Sequence, residues 1–102
     1  MSAIRLNENN FDQVRNNEGL ALLDFYADWC GPCRMVLPLV DEIASERDDL
    51  FVGKINVNEN PDLAREFGIM SIPTLIVMKD GEIINRASGA RNKAQILDLV
   101  YA

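Results

Sequence analysis

Histidine is absent from this chain of 102 residues, and cysteine occurs only twice, at Cys30 and Cys33. A structural zinc site takes about four ligands, mostly nitrogen or sulfur. Two thiolates would need carboxylates to complete that shell, so no metal is expected. A stapling role is equally poor, because a bridge across so few residues closes a tiny loop and removes little unfolded-chain entropy. Excess basic charge is missing too: 10 Lys and Arg face 16 Asp and Glu, a net charge of −6. With no basic patch to bind phosphates, neither nucleic acid nor an anionic membrane is an expected partner. The first residues, Met1 to Asn7, hold no apolar leader, and no stretch is long and apolar enough for a membrane span. A cytoplasmic location is the expectation, and there thiols are kept reduced. Internal repeats, low-complexity segments and linkers are also missing. At 102 residues and 48% hydrophobic composition, residues 1–102 read as a single domain that buries its own core.

What is present is a Cys-x-x-Cys motif, Trp29-Cys30-Gly31-Pro32-Cys33. This spacing lets two thiols close a disulfide within one turn of chain, or open it again. A chain whose two cysteines both lie in one such motif uses them for reversible dithiol–disulfide chemistry.

Periodicity and punctuation place the motif on a fold. Ala3 to Leu6 reads as a short edge strand. Asn9 or Asn10 can cap a helix running through Phe11 and Val14 to about Asn17. Leu20 to Ala27 is apolar except for Asp24 and reads as a strand buried on both faces. The cysteine motif opens a helix to about Arg47, with Val36, Leu39, Val40 and Ile43 on one stripe. Pro38, inside that helix, removes one hydrogen bond and should kink the axis. Phe51 to Val57 alternates as a strand. Asn60-Pro61 starts a helix that Gly68 stops. Thr74 to Lys79 is a strand, turned by Asp80-Gly81 into Glu82 to Ala87. Asn92 caps a last helix carrying Ile96, Leu97 and Val100. The order β-α-β-α-β-α-β-β-α implies an α/β fold, a mixed sheet with helices on both faces.

Cys30 falls at the start of the long helix, where unpaired N–H groups and the helix dipole stabilise an anion. It is therefore the expected attacking thiolate. Cys33, one turn deeper, is expected to be more buried and to resolve the mixed disulfide. Gly31 leaves room for a substrate beside Cys30, and Pro32 is tolerated in the first helical turn. Asp24 is a carboxylate inside an apolar strand, where desolvation raises its pKa. Two readings are open for it: acceptor of the Cys33 proton, or a structural aspartate bonded to a neighbour.

The chain closely resembles the thioredoxin family over nearly its whole length. The resemblance is carried by Asp24-Phe25-Tyr26-Ala27-Asp28-Trp29-Cys30-Gly31-Pro32-Cys33-Arg34-Met35, Pro38, Lys54, Ile72-Pro73-Thr74-Leu75, Lys79-Asp80-Gly81 and Gly89-Ala90. It implies a five-stranded mixed sheet flanked by four helices. It also implies a general protein-disulfide reductase, a monomer with no cofactor of its own, recharged by an NADPH-dependent thioredoxin reductase and acting on disulfide-containing proteins. On matching positions it makes Cys30 the nucleophile, Cys33 the resolving thiol, Asp24 the buried proton acceptor and Lys54 a lysine near that carboxylate. It makes Pro73 a cis-proline opposite the dithiol, leaving nearby backbone groups free to pair with an extended substrate. Trp29, Ile72 and Ala90 then form an apolar rim around Cys30. The chain departs from the family's common pattern at Tyr26, Met70 and Ser71, and the last two precede Ile72-Pro73 on the docking side. Competing readings are a thiol oxidase or isomerase on the same fold, and a binding subunit indifferent to redox state.

Overall fold

A computed structural model describes residues 2–102. Five strands form one sheet in the order β1-β3-β2-β4-β5. They are β1 (Ile4–Leu6), β2 (Leu20–Tyr26), β3 (Phe51–Asn56), β4 (Thr74–Lys79) and β5 (Glu82–Ser88). The helices are α1 (Asp12–Arg15), α2 (Gly31–Glu46), α3 (Pro61–Glu66) and α4 (Lys93–Tyr101). β1 and β2 both run parallel to β3, while β2 pairs antiparallel with β4, and β4 with β5. The sequence places the change of direction only at the final hairpin. In the structure it begins one strand earlier, at the β2–β4 pair. The hairpin itself turns at Asp80 (φ 52°) and Gly81 (φ 84°), the pair of positive angles that an Asp-Gly turn supplies.

β2 is the central strand, and its alternation divides the core. Ala21, Leu23 and Phe25 join Phe11, Val14, Leu63 and Phe67, on the side covered by α1 and α3. Leu22 joins Val36, Val40 and Ile43 of α2 with Ile96 and Val100 of α4, on the other side. Helices therefore cover both faces, as a central strand buried on both sides requires.

The expected cap of α1 is not made. The helix is a single turn, and Phe11 occupies its cap position without a side-chain bond. Asn10 is engaged elsewhere: its side chain accepts from Asn7 N at 2.7 Å and donates to the Arg5 carbonyl at 3.1 Å. Asn7 in turn accepts from the backbone of Asn9 and Asn10. Asparagines that close local turns are not free to cap a helix. Asn92, by contrast, forms a full capping box with Gln95 at the start of α4. α2 runs through Pro38 without interruption.

Candidate active site around Cys30 and Cys33

Cys30 is the N-cap of α2, in extended backbone (φ −92°, ψ 112°), and Pro32 lies in the first turn of the helix. The two cysteines are joined as a disulfide with their Cα atoms 5.3 Å apart. Cys30 Sγ also accepts a hydrogen bond from the Cys33 backbone N–H at 3.2 Å. The sulfur thus occupies the place where a serine or aspartate oxygen usually caps a helix. A thiolate formed there faces unpaired N–H groups and the positive end of the helix dipole. Cys33 is fully buried, whereas Cys30 keeps a small exposed area at 5%. Both pack with Tyr26 and Ala27, against Leu37, Val57 and Ile72.

The loop before β4 closes over the sulfur. The Ile72–Pro73 peptide bond is cis, and the Ile72 carbonyl oxygen lies 3.9 Å from Cys30 Sγ. Gly89 N–H donates to the Pro73 carbonyl at 2.8 Å, which ties the Gly89-Ala90 turn to this loop. Pro73 therefore has neither a donor nor a free acceptor. Among the described residues, the N–H and C=O of Ile72 have no backbone partner.

Two apolar depressions are lined by chain neighbours of the dithiol and of the loop that closes over it. Trp29, Val57, Ile69, Met70 and Ile72 line a groove of about 470 Å³, together with Ala64 and Arg65. Met35, Leu39, Ala90 and Arg91 line a second, of about 320 Å³. The expected rim is thus divided: Trp29 and Ile72 share one groove, while Ala90 borders the other. Trp29 and Met70 are 69% and 96% exposed, too exposed to serve as core. Sequence reasoning missed Met35, Val57 and Ile69. Met35 was legible in principle, since it falls off the Val36–Val40–Ile43 stripe and so points away from the sheet. Val57 and Ile69 are brought in only by tertiary packing.

Asp24 is completely buried, and neither carboxylate oxygen has a hydrogen-bond partner. It stands on β2 between Leu22, which packs on α2, and Tyr26, which packs on Cys33. The pleat therefore turns it to the face that holds the dithiol. Loss of hydration pushes its pKa from 3.8 up to about 7; Lys54 pulls the other way, and the charge of Asp41 adds to the rise. Lys54 is its register partner on β3. Its ammonium pairs with Asp41 of α2, at 3.9 Å, and not with Asp24. Of the two readings open for Asp24, the structural one needs a neighbour bonded to the carboxyl, and among the described residues there is none. Burial also raises the pKa of the Tyr26 phenol.

Comparison with known proteins bears on this geometry directly. The thioredoxin family profile matches residues 2–102. The chain belongs to the thioredoxin family. A thioredoxin of Listeria monocytogenes is 47% identical over 91 residues, 88% of this chain and 87% of that one. A bifunctional thioredoxin reductase/thioredoxin of Mycobacterium leprae is 48% identical over 88 residues, 85% of this chain but 19% of its own length. A mutant thioredoxin from Halobacterium salinarum superposes with a TM-score of 0.88 at 37% identity, covering 97% of this chain and 88% of the other. The fold is the thioredoxin fold, and Cys30–Cys33 is the redox-active disulfide of a protein-disulfide reductase. No helix among the described residues is long and apolar enough to cross a membrane.

Proposed function

We propose that residues 1–102 work as one unit and reduce disulfides in other proteins by two successive exchanges. In the reduced chain, Cys30 thiolate attacks one sulfur of the substrate disulfide. A mixed disulfide forms and the first substrate thiolate leaves. Cys33 gives up its proton and attacks Cys30 Sγ. The second substrate thiolate leaves, and the Cys30–Cys33 disulfide remains. Two electrons have passed to the substrate.

The observation that carries this division of labour is the placement of Cys30 Sγ as the cap of α2, with Cys33 wholly buried behind it. Asp24 is the proton acceptor for Cys33: a carboxyl near pKa 7 is matched to proton transfer at neutral pH. Lys54 modulates it by charge. Gly31 leaves the approach to Cys30 open, since even a Cβ at that position would meet nothing within 4 Å. The free backbone groups of Ile72 offer an extended substrate a strand-like pairing. Trp29, Ile72 and Ala90, with Met35 and Met70, supply apolar contact. Pro32 and Pro73 hold the two loops that frame the sulfur.

Electrons are restored by an NADPH-dependent thioredoxin reductase, a reading supported by the Mycobacterium leprae relative that joins the two names in one chain. The working compartment is the cytoplasm, where a reduced dithiol is maintained. The test is a trapping experiment. Reduced Cys33→Ser protein, mixed with a disulfide-bonded substrate protein, should accumulate a mixed disulfide through Cys30, read by mass spectrometry. Turnover by Cys33→Ser equal to that of the parent would reject the two-thiol mechanism.

A further inference from the structure

Asp24 and Lys54 are side-by-side register partners on β2 and β3, and both alternate onto the face covered by α2. A buried carboxylate beside an ammonium normally forms an ion pair, because neither charge is stable alone away from water. Here the pair does not form. Lys54 Nζ lies 3.9 Å from Asp41 Oδ1, while both Asp24 oxygens remain without a partner. Asp41 itself is fixed: the same Oδ1 accepts the Ala3 backbone N–H at 2.9 Å, from the residue that leads into β1. Its helix, α2, is the one that carries Cys30 and Cys33.

We propose that Asp41 is a positioning residue for the exchange reaction. By pairing with the Lys54 ammonium, it keeps Lys54 from pairing with Asp24 and leaves that carboxyl free to take the Cys33 proton. The inference rests on the proton-acceptor reading of Asp24. An Asp24–Lys54 pair would hold the carboxylate ionised but occupied, and a weak base. Drawing the ammonium away by one helical side chain restores the proton affinity the step needs.

The charged and titratable groups around Asp24 are few. β3 contributes Lys54, α2 contributes Asp41 and the two cysteines, β2 contributes Tyr26, and Arg5 of β1 sits beside Lys54. β4 offers Leu75 and Val77 on this face, with Lys79 exposed at its far end, and α4 offers Ile96 and Val100, with Lys93 in its first turn paired to Glu42 and Glu46 of α2.

Asp41→Asn is the discriminating variant, because an amide oxygen can still accept from Ala3 N–H while its charge no longer holds Lys54. The readout is the pH profile of the resolving step, followed by stopped flow, alongside an NMR titration of the Asp24 carboxyl. The expected result is a fall of about one pH unit in both midpoints, with resolution several-fold faster at pH 6 and no faster at pH 8. In a Lys54→Met background, the shift caused by Asp41→Asn should shrink to less than half. Unchanged midpoints in Asp41→Asn, or a shift that keeps half or more of its size without Lys54, would overturn the proposal. Asp24→Asn separates the two ideas. If that variant resolves at the parental rate, the proton-acceptor reading has failed. If it is slow while Asp41→Asn leaves the profile in place, only the role of Asp41 has.

Discussion

The two faces of β2 are built from neighbouring residues and do opposite things. Ala21, Leu23 and Phe25 point into a dry layer with Phe11, Phe67, Leu63 and Ile76. The Phe67 ring meets both Phe11 and Phe25 at 5.4 Å between centroids, within the range favoured for aromatic pairs. Leu22, Asp24 and Tyr26 point the other way, and there the layer is interrupted by an unpaired carboxyl and ends at the dithiol. A charged group without partners costs stability. The strand tolerates it because the opposite face is filled with well-packed apolar side chains, whose burial contributes roughly 1.5–3 kcal/mol each. Both faces bury an apolar core, and only one of them also carries an unpartnered carboxyl, which a stability-only design would not contain.

The largest effect comes from the end of the functional face. Cys30→Ser removes the attacking sulfur, and turnover with a disulfide-bonded protein should fall by at least about a thousandfold, or about 4 kcal/mol in the barrier. Its stability in urea, compared with that of the reduced parent, should change little. If Cys30→Ser keeps a tenth of parental turnover, the role assigned to the helix cap is wrong.

The dry face breaks differently. Phe25→Ala should lose about 3–5 kcal/mol of unfolding free energy, because the void opens among Phe67, Leu23 and Ile55 with no water to fill it. The Asp24 titration midpoint should stay in place. A shifted midpoint would mean that the two faces are coupled through the strand.

Asp24 sharpens the contrast through the sign of its pH dependence. Its pKa is 3.8 when exposed and about 7 when folded, so between these values the folded chain binds a proton that the unfolded chain has released. Stability should therefore fall as pH rises through this window and level off above it, with no contribution below the lower value. The full span corresponds to about 4 kcal/mol at most. Asp24→Asn should flatten the curve and be the more stable protein at pH 8, while slowing the resolving step more than the initial attack. Denaturant melts across pH 4–8 test the first part and stopped flow the second. An unchanged slope would show that the carboxyl is hydrated.

Much of this was legible in the sequence, for physical reasons that differ by residue. The Asp80-Gly81 turn, the Pro61 helix start and the double-sided burial of β2 follow from local rules, and the structure has them. The dithiol declared itself because two cysteines at this spacing leave few alternatives. Asp24 stood out as a charge in an apolar run, although its freedom from hydrogen bonds is a property of its neighbours. The Asn9 or Asn10 cap fails because a run of asparagines offers several competing turns, and side-chain bonds to Asn7 and Arg5 win. The detour of Lys54 to Asp41 could not be read at all, since it depends on where α2 crosses β3. Val57 and Ile69 joined the groove beside Trp29 for the same reason.

The smallest expected effect tests whether the functional face can be weakened without touching its chemistry. Asn92 accepts from Gln95 N at 2.8 Å, and the Gln95 side chain accepts in return from Asn92 N at 2.9 Å. Replacing a helix cap of this kind with alanine costs about 1 kcal/mol. α4 places Ile96 and Val100 against Leu22, Val36 and Leu75, so Asn92→Ala loosens the layer that contains Asp24 without altering any charge beside it. The urea midpoint should drop accordingly, while the resolving-step pH profile stays fixed. That pairing of outcomes would separate packing from proton affinity on one face of one strand. A profile that moved with the cap would instead make Asp24 a reporter of how tightly the α2–α4 layer closes, and its raised pKa a consequence of packing that any loosening mutation could undo.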